Sequence, residues 1–312
     1  MKYYLSLLVI FSSANALGAS CDFLLSMNSI SYTVIATNPS ISQNFTLYRD
    51  KGGSSCGNFV IGFSKGASAT YNRIATNSAN GTTIPYNLYK TSAATTALRR
   101  LTDASSTNQV VTGTISKNQT KTLNYFFQLG TLSTTTMTRA GTYTDTVNAE
   151  ASEGTFSDGE SPEETKPVSI TIVVPKSIAI SLVDTGAVHN SSATSKILDF
   201  GELTESEELG FDVKIASNAG YTLSVSSTYN QTLRLEDLPA AANTQIDYDF
   251  YASNTQRNLS SSSSSPVMIG SGSGSTPILG TSVPVRIVIK SVDNKISGTY
   301  KDYVTFTVAT TE

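Results

Sequence analysis

The chain has 312 residues, 21 Lys and Arg against 24 Asp and Glu, a net charge of −3 and only 14% charged residues. That balance excludes a nucleic-acid binder, which needs a basic face to neutralise phosphates. No run reaches the roughly 18 apolar residues of a membrane-spanning helix, and no cluster of residues has metal-ligand spacing, so neither a metal nor another cofactor is expected.

In chain order, the first element reads as an export signal. Lys2 gives a positive start, Leu5 to Phe11 is a short apolar run broken only by Ser6, and small residues follow in "SSANALGAS". Cleavage fits after Ala16, Gly18 or Ala19, which makes residues 1–19 the signal peptide. The exported chain carries two cysteines, Cys21 and Cys56. They pair most simply in one disulfide, two buried free thiols being the alternative. Such a bond closes a loop of about 35 residues and contributes about 3–4 kcal/mol.

Beyond the signal, apolar residues alternate with polar ones at period two. Phe59, Ile61 and Phe63 share a face, as do Ile84, Tyr86 and Leu88, then Leu123, Tyr125 and Phe127, then Ile170, Ile172 and Val174. The pattern continues through Ile178, Ile180 and Leu182, through Phe211, Val213 and Ile215, through Tyr221, Leu223 and Val225, and through Ile246, Tyr248 and Phe250. It ends with Val285, Ile287 and Ile289. Each set is a short strand with one buried face, and no amphipathic helix competes. The fold class is all-β.

The order of segments repeats. "NFVIGFSKGASATY" resembles "GFDVKIASNAGYTL", and "TIPYNLY" resembles "TQIDYDFY" in its Ile-x-Tyr-x-x-Tyr spacing, Ile84, Tyr86 and Tyr89 against Ile246, Tyr248 and Tyr251. "GTYTDTV" from Gly141 recurs as "GTYKDYV" from Gly298. The offsets, 162 residues (84 to 246) and 157 residues (143 to 300), imply two related domains joined near Pro175, over residues 20–175 and 176–312. Asp145 and Asp302 are expected near a sandwich edge, accepting hydrogen bonds from a turn rather than acting in catalysis.

The copies differ beyond the motif. The first continues through an acidic loop into "SITIVV", whereas the second runs through Val304, Phe306 and Val308, after which only Ala309 to Glu312 are given. The second domain is therefore expected to be one strand short. Ile178, Ile180, Val304, Phe306 and Val308 would line a groove that another chain's strand fills.

The paired Gly-Thr-Tyr-x-Asp-x-Val motifs, the Ile-x-Tyr-x-x-Tyr strands and the cysteine near the mature N-terminus resemble spore coat protein U domains. These are pilin domains of archaic chaperone–usher fimbriae in Gram-negative bacteria. The resemblance implies immunoglobulin-like sandwiches, the C-terminal one completed by strand donation. It also implies a periplasmic chaperone, an outer-membrane usher and a next pilus subunit as partners. Cleavage leaves about two to four residues ahead of Cys21, too few to donate, so the resemblance further implies a two-domain tip adhesin. Its N-terminal domain would meet an abiotic or host surface and serve biofilm formation. A departure is that the second copy lacks cysteines.

Loops expected at the distal pole are Lys90–Thr120, Ala149–Pro167 and the turn Lys65–Thr70. Their apolar residues Leu98, Leu101, Val110, Val111 and Phe156 are the candidate contacts for an apolar surface, with carbohydrate the rival target. Competing functions are a shaft or adaptor pilin of the same fibre, a secreted carbohydrate-binding sandwich and a secreted enzyme. The single histidine, His189, and the "GSGSGS" run at 270–275 carry no catalytic or phosphate-binding pattern, so no enzyme is expected.

Overall fold

The computed structural model describes residues 22–35, 37–50, 57–158 and 161–311. The signal segment and both Cys21 and Cys56 lie outside the described residues, and with them the expected disulfide. The described chain is all-β, apart from two one-turn 3-10 helices at Leu101–Asp103 and Thr107–Gln109.

The N-terminal half carries β1 (Phe23–Ser26), β2 (Ile30–Thr33), β3 (Ile41–Arg49), β4 (Asn58–Phe63), β5 (Arg73–Thr76), β6 (Thr83–Tyr89), β7 (Val111–Thr114), β8 (Gln119–Leu129), β9 (Gly141–Glu153) and β10 (Glu164–Val174). One layer runs β1-β3-β8-β6-β5 and the other β7-β4-β9-β10-β2, the two joined by a single pair, Thr76 with Thr144. The C-terminal half carries β11 (Ile178–Val183), β12 (Glu208–Ser217), β13 (Tyr221–Ser227), β14 (Thr232–Leu235), β15 (Gln245–Ala252), β16 (Thr255–Arg257), β17 (Val267–Gly272), β18 (Thr281–Ile289), β19 (Tyr300–Lys301) and β20 (Val304–Thr310). Its layers run β11-β12-β18-β15-β14-β19 and β17-β13-β20. Five strands of the first layer and three of the second correspond one to one between the halves, so the repeats of the Ile-Tyr and Gly-Thr-Tyr strands are repeats in topology. The expected match of "NFVIGF" to "GFDVKI" is not: β4 lies beside β9 as β13 lies beside β20, and β12 takes the place of β3.

Alternation becomes burial because successive side chains on a strand point to opposite faces. Ile84, Tyr86 and Leu88 of β6 and Ile246, Tyr248 and Phe250 of β15 are all buried. Two hydrophobic clusters result, one from Phe23 to Val174 and one centred on Phe211 to Ile289. Each fully buried large apolar side chain contributes about 1.5–3 kcal/mol relative to exposure. Aromatic rings tie the first cluster together, with Phe63 and Tyr125 centred 5.0 Å apart and Tyr86 stacked on Phe127 at 5.5 Å.

The repeated motif locks each sandwich at the same corner. The Tyr143 hydroxyl donates to the Arg139 carbonyl at 2.7 Å, and the Tyr300 hydroxyl donates to the Ile296 carbonyl, also at 2.7 Å. This is the tyrosine corner of immunoglobulin-like sandwiches, pinning the turn that enters the strand. Two residues on, Asp145 accepts from the Tyr86 hydroxyl at 2.6 Å and the Ala67 amide at 3.0 Å. Asp302 accepts from the Tyr248 hydroxyl at 2.7 Å, the Ser227 hydroxyl at 2.6 Å and the Tyr229 amide at 3.1 Å. Gly66, with φ +66°, presses against the first of these carboxylates, and a Cβ there would collide with Asp145 Oδ2. The turn therefore requires glycine.

Burial first, and then the neighbouring aspartate, push the Tyr86 and Tyr248 phenols far above their ordinary value of 10.0. An acid whose folded pKa is raised ionises first in the unfolded chain. Its contribution is complete below about pH 10 and falls by about 1.4 kcal/mol per pH unit above that. Urea unfolding at pH 9 and pH 11 checks this. The expected outcome is a marked loss at pH 11, and a shallower one in Tyr86→Phe. Equal pH dependence in the variant contradicts the assignment.

Candidate functional site

The N-terminal sandwich shows what a completed edge looks like. Its β10 runs antiparallel along β9 from Glu164 opposite Ala151 to Val174 opposite Gly141, and its other edge pairs in parallel with β2. Val168, Ile170 and Ile172 of β10 thereby fill the core, each 1% exposed or less. Under them Val147, Ala149 and Ala151 of β9 are 0% exposed.

In the C-terminal sandwich β20 pairs with β13 on one side. Among the described residues no strand pairs with its other side, and β11 pairs only with β12. Val304, Phe306 and Val308, the counterparts of the fully buried β9 residues, remain half-buried, as do Ile178, Ile180 and Leu182 across from them. Phe306 still reaches the core, edge-on to Phe211 at 5.8 Å and tilted against Phe250 at 6.3 Å. Among the described residues, 13 half-buried apolar side chains pack against the C-terminal core and only five against the N-terminal one. The difference concentrates along this seam.

The seam also lacks the devices that protect a permanent edge. Solvent-facing positions of β20 are Thr305, Thr307 and Ala309, with no charge, proline or bulge to discourage pairing. The far end of β11 is shielded, since the Leu182 amide donates to the Ala193 carbonyl at 2.7 Å. Cα atoms of β11 and β20 approach within 8 Å. Flanking a full strand takes twice the inter-strand spacing, roughly 9–10 Å, so seating one requires the walls to part by about 2 Å.

The opposite pole lies where β10 begins, with the ends of β3 and β9 and the starts of β4 and β8 beside it. Three expected contact residues are not on its surface. Leu98 and Val110 are 0% exposed and Val111 is 6% exposed. Leu98 is anchored by Arg73, itself 0% exposed. Its guanidinium donates to the carbonyls of Leu98 at 2.8 Å, Phe63 at 3.1 Å and Ser64 at 2.9 Å, and to Asn87 Oδ1. Tyr71 adds a second tether, donating to Asp103 Oδ2 at 2.8 Å and accepting from the Arg100 amide at 2.9 Å. The connection after β6 is thus folded back onto the sandwich, with the Phe63 amide bonded to the Arg99 carbonyl and Val111 paired with Ile61 in the sheet. Burial pulls the Arg73 guanidinium down to about 10, still charged at neutral pH.

The turn Lys65–Thr70 is likewise not polar in position. Its Ala67 amide is held by Asp145, which sits opposite Ile170 midway along the sheet. Leu101 and Phe156 are half-buried and remain at loop surfaces. The sequence does carry a signal for the arginine: Tyr71, Arg73 and Ala75 share one face of an alternating stretch, which places a guanidinium in the core.

The tyrosine corners, the matched strand orders and the seam define the class of protein, a tandem of immunoglobulin-like β-sandwiches. Residues 8–150 match the family model of the Spore Coat Protein U domain. No curated protein matches the chain. Solved structures similar to it include the CsuC-CsuE chaperone–tip adhesion subunit complex of Acinetobacter baumannii, at 16% identity and TM-score 0.38, covering 92% of this chain and 99% of that one. The CupB6 tip adhesin of Pseudomonas aeruginosa is similar at 11% identity and TM-score 0.41, covering 92% of this chain and 94% of that one.

Proposed function

We propose that the chain is a subunit of a chaperone–usher pilus, exported to the periplasm and positioned at the fibre tip as an adhesin. The observation that carries the reading is the seam: an uncharged strand edge over half-buried apolar side chains, where the N-terminal sandwich has β10. A strand from a periplasmic chaperone would occupy it first, and a strand from the next subunit would replace that at an outer-membrane usher. The domains are 20–175 and 176–312, the first facing the target and the second the fibre. Leu101 and Phe156 are the remaining candidate contacts for an abiotic or host surface. The reading assigns the chain no catalytic role.

Phe306→Asp and Val308→Asp, made separately, test the reading. Each is expected to abolish incorporation into pili, scored by immunoblot of sheared fibres, while the N-terminal domain keeps its fold. Normal incorporation of both variants overturns it. Leu101→Ser with Phe156→Ser is expected to reduce attachment to plastic or cells several-fold at unchanged pilus number. Unchanged attachment moves the contact elsewhere.

A further inference from the structure

We infer that the turn between β12 and β13 is a clamp that holds the two sandwiches at one fixed angle and anchors both walls of the seam to that frame. The turn comprises Asn218 to Gly220, and Asn218 at its start is 5% exposed. The Asn218 side chain accepts from the Ser177 amide at 2.7 Å and donates to the Pro175 carbonyl at 2.8 Å, gripping the link between the sandwiches from both sides. Its backbone amide donates to the Ser177 carbonyl at 3.1 Å, while its own carbonyl accepts from the Ala140 amide at 2.8 Å. One residue therefore binds the linker three times and the N-terminal sandwich once.

A second strip of contacts lies beside it. The Met137 amide donates to the Thr276 carbonyl at 3.1 Å, the Ile278 amide donates to the Thr135 carbonyl at 3.0 Å, and Thr136 bridges to Pro277. Thr276, 4% exposed, is fixed in turn by Ser217, whose amide donates to Thr276 Oγ1 at 3.0 Å. Arg139 reaches across to the Ser273 carbonyl at 3.2 Å. The segment making these contacts is itself stiff, because the Arg139 carbonyl is the acceptor of the Tyr143 corner. A link with so many paired backbone groups at both ends has few soft dihedrals left.

The same turn holds the seam. The Thr311 amide donates to the Gly220 carbonyl at 2.9 Å at the end of β20, and the Asn218 bonds to Ser177 lie one residue before β11. Both walls thus end on the element that grips the N-terminal sandwich. Force applied to a strand in the seam would pass to the N-terminal sandwich as a rigid body rather than through a swivel. The inference depends on these contacts alone and stands whatever occupies the seam.

Amide exchange on the full chain, resolved by NMR, tests it. Ala140, Met137 and Ile278 are each expected to exchange about 100-fold or more slowly than unstructured amides. In Asn218→Ala their exchange should rise at least about tenfold, with Val147 in β9 and Val213 in β12 unchanged. A merely local role would accelerate Ser177 alone, and that result overturns the clamp. Fast exchange at Ala140 and Met137 in the unaltered chain overturns it too, and this arm holds even if the variant does not fold.

Discussion

Replacing Arg73 by alanine is expected to lower the stability of the N-terminal sandwich by about 3–5 kcal/mol, a large fraction of what a domain of this size has in reserve. The substitution strips donors from the buried carbonyls of Phe63, Ser64 and Leu98 and from Asn87 at once. A buried acceptor left without a partner costs about 1–3 kcal/mol. The effect has a spatial signature as well, since the guanidinium is what draws the Leu98 segment into the core. Arg73→Met retains most of the apolar volume and should be nearly as damaging, because the carbonyls stay unsatisfied. Urea unfolding followed through core amides of β6 and β8 measures both variants. A loss below about 1 kcal/mol in Arg73→Ala contradicts the assigned role.

Asp302→Ala is expected to cost the C-terminal sandwich a similar amount, about 3–5 kcal/mol. It orphans the hydroxyls of Tyr248 and Ser227 together with the amides of Tyr229 and Tyr303. Asp302→Asn keeps acceptor capacity and should recover part of the loss. Asp145→Ala performs the same experiment in the other sandwich, where Tyr86, Ala67 and Thr146 lose their acceptor. Because the two sites are equivalent, the variants should destabilise different halves to a comparable degree. If Asp302→Ala leaves stability unchanged while reducing some other property of the isolated chain, the carboxylate is not a structural group.

Much of this architecture can be read from the residues themselves. Alternation at Ile84-Tyr86-Leu88 and Ile246-Tyr248-Phe250 is enough to place strands, because burial on one face of a sheet leaves no other period. The alternation that resumes at Ile170 after the Val147 motif likewise places β10 beside β9. Partnerships between distant positions are not legible. That Tyr86 meets Asp145, or that β2 pairs in parallel with β10, depends on how the layers close. Three of the five expected contact residues are buried for a related reason. Leu98, Val110 and Val111 lie in a stretch without regular alternation, which reads as exposed loop. An apolar side chain in a long connection is more often buried than displayed, and Arg73, 25 residues earlier than Leu98, supplies the tether. A guanidinium and a carbonyl brought together by folding leave no periodic trace.

Completion of the C-terminal sandwich by a strand absent from its described residues is open to one direct measurement. It is thermal unfolding of the chain with and without residues 154–174 repeated after Thr310, the position equivalent to Glu153, so that a copy of β10 can fold back along β20. The appended chain is expected to unfold at a clearly higher temperature in its C-terminal half, with the amides of Val304 to Val308 becoming slow to exchange. If the unfolding temperature and those amides are unchanged, and the edge of β20 is already protected in the unmodified chain, the seam is closed and the sandwich needs no donated strand.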